Sequence, residues 1–275
     1  MQSPVLSDAK RKLLEKLLRG GGSRTPAAQL QIPRRTPGSA TPLSPFQEQF
    51  WTHAQIVQGQ PLFNETMTIV RHGPLEPRIL ERCFVQIVGR HEIWRTTFDT
   101  VDGEPVQVIH PAPADFPIPA VDLRHLPERE RDAEALRLGQ ADSRRLFDLK
   151  KWPLLRALLV RTDDEEYRLF MATHHLISDG VTAYSVFLPE LTALYDVFSR
   201  EPGEDRSQDS EKAAQLPELP VQYADFAIWQ REKAQRDIAA HHAEFWKQQL
   251  AGDLPVLAWP NDKPRPPIQT YRGAP

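Results

Sequence analysis

The segment of this chain best equipped for chemistry is His174-His175-Leu176-Ile177-Ser178-Asp179-Gly180, two adjacent histidines followed at short range by an aspartate and a glycine. An imidazole has a reference pKa near 6.5, so one of them at a strand end can take or share a proton with an incoming nucleophile. Asp179, four residues beyond His175, is expected to return toward the backbone or a cation and fix the turn. Gly180 is expected to let the chain leave the turn closely packed, at backbone angles a side chain forbids. A solvated turn is the plainer alternative. Metal binding is disfavoured because adjacent side chains on a strand point to opposite faces, so His174 and His175 would chelate one ion poorly. The other pair, His241-His242, lies in a polar helical stretch and is expected to face water.

The elements around this segment must place it. Leu154 to Arg161 and Tyr167 to Thr173 read as a strand pair bracketing Asp163-Asp164. The second of these is nearly all apolar at Leu169-Phe170-Met171-Ala172, which predicts burial on both sides and a place at the sheet centre. Val181 to Phe198 repeats apolar residues at helical spacing, so the histidines fall between a buried strand and a helix.

Upstream, Ser44-Pro45-Phe46-Gln47 forms a capping-box helix start before Phe50 and Trp51. Asn64 to Arg71 reads as a strand, and Glu76 to Gly89 as an amphipathic helix with apolar pairs at 79/80, 83/84 and 87/88. Trp94 to Phe98 and Val106 to Ile109 flank Asp102-Gly103, a dipeptide suited to a hairpin turn. A charged, solvated helix is expected over Pro127 to Arg145, and two further helices over Val221 to Gln235 and Ala239 to Leu250, ahead of an extended tail from Pro255 to Pro275. The organisation that follows is a short helical segment at 1–19, a linker at 20–42 carrying Arg24, Arg34 and Arg35, a lobe at 43–198, an inter-lobe linker at 199–216 and the start of a second lobe at 217–275. The Leu-rich first helix is either a docking element or a loose terminus.

Composition sets the outer limits. The 275 residues suffice for a large buried core without staples. Lys plus Arg number 34 against 37 Asp plus Glu, a formal charge of -3, so nothing draws the chain to phosphate backbones or anionic lipid. Nucleic acid and membrane are not expected partners, and no stretch approaches the roughly 18 uncharged apolar residues that cross a bilayer. One cysteine, Cys83, rules out an internal disulfide and fits a cytoplasmic setting, where it reads as a small core hydrophobe.

Two further segments complete a pattern: Arg90-His91-Glu92-Ile93-Trp94-Arg95-Thr96-Thr97-Phe98, and Tyr223-Ala224-Asp225-Phe226-Ala227-Ile228-Trp229-Gln230. With the His-His-x-x-x-Asp-Gly element, the Leu43-Ser44-x-x-Gln47 start and the closing Pro264-Arg265-Pro266 and Tyr271-Arg272-Gly273, they resemble, in order and spacing, the condensation domains of nonribosomal peptide synthetases. The resemblance runs from about Leu43 to the end. It implies a two-lobed, chloramphenicol-acetyltransferase-like α/β fold with the active site at the lobe interface. It also implies amide-bond formation between carrier-bound thioesters, with His175 as the catalytic histidine, general base or orienting partner of the amine. His174 and Gly180 belong to the same motif. Asp179 matches a structural aspartate that pairs with an arginine, for which Arg95 is the best match. The implied partners are carrier-protein domains upstream and downstream and the rest of a synthetase. The chain itself is expected to bind no cofactor or metal, the 4'-phosphopantetheine arms arriving on the carriers.

This sequence departs from the family at Trp94, where a smaller aliphatic residue is commoner, and at Val181-Thr182, where Trp-Ser is common. The family's domain is also longer than Leu43 to Pro275, so the resemblance implies an N-terminal lobe plus only the start of the second. Two other functions are compatible: a non-catalytic carrier or partner-binding module, and an acyl-CoA-dependent transferase making an ester.

Overall fold

The computed structural model describes residues 32–36, 38, 41–57, 59–200, 216–234, 238–256, 260 and 264. Everything below belongs to the unit Pro33–Pro275. The helix expected at 1–19, most of the two linkers and most of the extended tail lie outside the described residues.

A four-stranded sheet of order β1 (Asn64–His72), β6 (Glu166–His174), β5 (Leu155–Asp163), β4 (Ala120–Asp122) is the frame. β6 runs antiparallel to β1 on one side and to β5 on the other, while β4 joins β5 in parallel. The apolar run of β6 is thus central, and Leu169, Phe170, Met171 and Ala172 are all buried. Alternation splits it between two cores. Leu169 and Met171 join the large cluster with α2 (Pro77–Arg90), whose Ile79, Leu80, Cys83, Phe84, Ile87 and Val88 bury the predicted apolar stripe. Phe170 joins a smaller cluster with Val160 and Ala135 of α3 (Glu128–Ser143). The charged helix α3 touches the sheet through Ala135 and Gly139, its only two buried residues, and a Cβ at Gly139 would run into the Phe170 ring.

β2 (Thr96–Val101) and β3 (Glu104–Ile109) form a separate hairpin closed by Asp102 at φ 52° and Gly103 at φ 86°, both in the left-handed region such a turn requires. The strand expected from Trp94 begins only at Thr96, because Glu92–Arg95 coil into a 3-10 turn that buries Trp94 against Phe187.

The single helix expected over Val181 to Phe198 is interrupted. α4 (Gly180–Thr182) passes through a π-helical turn, Ala183–Phe187, into α5 (Leu188–Phe198). Pro189 has no amide hydrogen to continue the regular ladder, and the Leu188 amide reaches back five residues to the Ala183 carbonyl.

The segment after residue 216 is tied both to residues 34–35 and to α1 (Pro45–Ile56). Helix α6 (Tyr223–Ala234) docks on it through Arg231, which donates to the Leu43 carbonyl (2.6 Å) and to Glu48 (2.5 Å). Arg34 and Arg35, read as linker charges, have fixed partners: Arg35 pairs with Asp225 at 3.0 Å and Glu92 at 2.8 Å, and Arg34 donates to the Pro220 carbonyl. Such a segment is fixed by ion pairs rather than apolar burial, so it shows no periodicity to read. Helix α7 (Ile238–Gln249) leaves Phe245 and Trp246 exposed.

Candidate active site

β6 ends at His174, and the two histidines divide the sheet's neighbours between them. The His174 amide donates to the Leu154 carbonyl beside β5, and the His175 amide to the Phe63 carbonyl beside β1. Their side chains take different surroundings, as adjacent positions must.

His175 is about a quarter exposed. Its Nδ1 lies 2.8 Å from the Ser178 carbonyl oxygen. A carbonyl only accepts, so Nδ1 carries the proton and the neutral ring keeps its lone pair on Nε2. That nitrogen faces Glu65, whose Oε1 is 3.4 Å away. Phe50 and Phe46 of α1 flank the ring at centroid distances of 4.6 and 5.8 Å. Glu65 and Ser178 both line a cavity of about 260 Å³, floored by Met67, Trp94, Met171 and Phe187. The imidazole therefore contacts two residues that line a mostly apolar cavity, Ser178 through Nδ1 and Glu65 through Nε2.

His174 is buried, with Phe63 and Phe147 edge-on to its ring at 6.1 and 6.3 Å. Its Nδ1 accepts the Leu176 amide at 3.2 Å, and burial, helped by neighbouring His175, pushes its pKa down to about 4. It stays neutral and holds the loop.

Asp179 caps α4: its Oδ1 accepts the Thr182 amide and hydroxyl, each at 2.7 Å. Burial works to raise its carboxyl, but these two bonds and the nearby His175 together hold it below the ordinary carboxylate value. The ion pair expected with Arg95 is not formed. Arg95 instead donates to the His110 carbonyl and lies 3.7 Å from Glu92. The physical reason is local: a carboxylate at an N-cap finds its donors within its own turn. Gly180 also departs from expectation, since it has no positive φ and a Cβ there would meet nothing within 4 Å. It lines the cavity, where its missing side chain leaves room rather than allowing a strained turn.

Two residues gain a role that sequence reasoning did not give them. Gln47, read only as a helix-start signal, is fully buried and donates its side-chain amide to the Leu176 carbonyl at 3.0 Å. Both halves of its capping box with Ser44 are present. The Ser44 hydroxyl also meets the Tyr223 hydroxyl at 2.9 Å, linking the later motif to the same corner. Glu65 carried no signal beyond being a carboxylate in a strand, and only the register that sets it opposite Thr173 brings it to His175. Among the described residues no group of three or more His, Cys, Asp or Glu could hold a metal ion, and no helix is long and apolar enough to cross a membrane.

Known proteins resemble this chain in sequence and fold. The family model described as Condensation domain matches residues 39–274. One of the proteins that make up the linear gramicidin synthase of Brevibacillus parabrevis is 38% identical over 258 residues, 94% of this chain and 3% of that protein. Phosphinothricin tripeptide synthetase PhsC of Streptomyces viridochromogenes is 36% identical over 271 residues, 98% of this chain and 24% of that protein. Among solved structures, the starter condensation domain of rhizomide synthetase RzmA superposes with a TM-score of 0.64 at 20% identity, covering 78% of this chain and 48% of that one. The X-domain solved in complex with OxyB from teicoplanin biosynthesis gives 0.68 at 23% identity, covering 86% and 49%. The chain thus spans a small part of these synthetases and about half of the solved domains. With its chloramphenicol-acetyltransferase-like α/β fold and a family match over nearly its whole described length, this chain belongs to the condensation domain family of nonribosomal peptide synthesis.

Proposed function

We propose that the chain contributes the histidine-bearing lobe of a condensation domain, joining a donor acyl or peptidyl thioester to an acceptor aminoacyl thioester through an amide. The observation that supports this most is His175, with its Nδ1 hydrogen bound to the Ser178 carbonyl and Nε2 turned to Glu65, a residue of the cavity lining. The neutral amine of the acceptor attacks the donor carbonyl, the C–N bond forms and the C–S bond breaks. The proton lost by the amine passes to Nε2 and from there to the departing thiolate. Nε2 acts as base or as the acceptor that aims the amine, and holding both thioesters in reach supplies much of the rate.

Carrier-protein domains bearing 4'-phosphopantetheine arms are the proposed partners, within a synthetase in the cytoplasm. The organisation proposed is a lobe at 43–198, with 217–275 opening the second. A partner-binding module is the second reading, favoured by the likeness to the X-domain, which was solved in complex with OxyB. One assay separates the two. The protein carrying this chain, supplied with donor and acceptor thioesters loaded on carriers, is expected to form an amide detectable by mass spectrometry. Carrier binding without product supports the binding module, and ester formation from an acyl-CoA supports the transferase.

A further inference from the structure

Glu65 presents a problem of lone pairs. Because the His175 Nδ1 hydrogen is committed to the Ser178 carbonyl, neutral His175 turns an unprotonated Nε2 toward a carboxylate oxygen 3.4 Å away. Two acceptors facing one another repel unless a proton sits on one of them or an N–H donor bridges both. Glu65 is also the only charged residue among the described residues lining the cavity, whose floor is Met67, Trp94, Met171 and Phe187.

We propose that Glu65 is a second substrate-contacting residue of this site, which with His175 Nε2 binds the α-ammonium group of the acceptor and takes its first proton. An ammonium nitrogen about 2.9 Å from both atoms satisfies each with a charge-assisted hydrogen bond. This rests on the condensation reading above. Burial raises the Glu65 carboxyl above its ordinary value, opposed by His175 and reinforced by the nearby Asp179 charge, which makes it a better proton acceptor than an exposed carboxylate. The protons balance. The acceptor arrives as R–NH3+, and one proton moves to the Glu65 carboxylate and on to solvent. The neutral amine then attacks the thioester carbonyl. Its second proton passes through Nε2 to the leaving sulfur, so thioester plus ammonium yields amide, thiol and one released proton.

A site built this way discriminates between amine and hydroxyl acceptors. In the carrier-loaded assay, Glu65→Gln is expected to lower kcat/KM for the aminoacyl acceptor roughly 10-fold to 100-fold, the scale of one hydrogen bond to a charged group. The donor KM should stay unchanged, and Glu65→Asp should recover part of the loss. A binding measurement needs no turnover: an α-aminoacyl N-acetylcysteamine thioester should bind wild type more tightly than its α-hydroxyacyl analogue, and Glu65→Gln should erase the difference. Equal binding of the two probes by wild type overturns the proposal. So does an aminoacyl kcat/KM of Glu65→Gln within a factor of two of wild type while His175→Ala is dead. Should wild type form no amide at all, the condensation reading fails, and the binding comparison still judges Glu65.

Discussion

Gln47 donates its side-chain amide to the Leu176 carbonyl across 3.0 Å, so the first turn of α1 holds the loop on which His175 stands. Its Oε1 meanwhile accepts the Ser44 amide at 3.0 Å. Replacing Gln47 by Leu leaves a buried acceptor and a buried donor without partners, each costing about 1–3 kcal/mol. Gln47→Leu should therefore lower the urea midpoint measurably and speed amide exchange at Ile177 and Ser178. An unchanged midpoint contradicts the tether.

His174 makes stability depend on pH in a definite direction. Its folded pKa of about 4 lies below its ordinary 6.5, so between those values the unfolded chain binds the extra proton. Its contribution is complete above pH 6.5, falls away as the pH drops toward 4 and levels off below, amounting at full effect to roughly 3 kcal/mol. His174→Asn keeps an acceptor for the Leu176 amide and should flatten that part of the stability profile. Melting curves from pH 7 to 4 on both proteins test it, and parallel curves would remove His174 as the source.

Asp179 and Arg95 should act independently. Asp179→Ala loses an N-cap, a cost of about 1 kcal/mol, whereas Asp179→Asn retains the acceptor and should lie close to wild type. Combining Asp179→Ala with Arg95→Ala should give the sum of the two effects within about 0.5 kcal/mol. A larger coupling energy would restore the ion pair that the geometry replaces.

Two glycines should respond oppositely to a methyl group. Gly139→Ala brings better helix propensity, about 1 kcal/mol, yet drives a Cβ into the Phe170 ring and should destabilise by more than that gain. Gly180→Ala meets open space and should leave melting unchanged. Thermal unfolding of the pair decides, and equal shifts would contradict the packing described for α3.

What the sequence revealed was whatever repeats or caps locally. The apolar pairs of α2, the buried run of β6 and the Asp102-Gly103 turn announce themselves within a few residues, and the His-His-x-x-x-Asp-Gly element marks the site. Contacts made by the fold were hidden. Glu65 reaches His175 through strand pairing across more than a hundred residues, and Arg35 finds Asp225 across 190. The π-helical turn at Ala183–Phe187 has its local signal in Pro189, and of the two returns open to Asp179 in the sequence, backbone or cation, the fold takes the backbone.

The central claim is that His175 Nε2 serves the amine during amide formation. The measurement that tests it most directly is single-turnover amide formation by wild type and His175→Ala, with donor and acceptor thioesters loaded on their carriers and both proteins shown to melt alike. Loss of a positioned proton acceptor should slow the reaction by roughly 10² or more. Amide formation by His175→Ala within a factor of two of wild type would contradict the account.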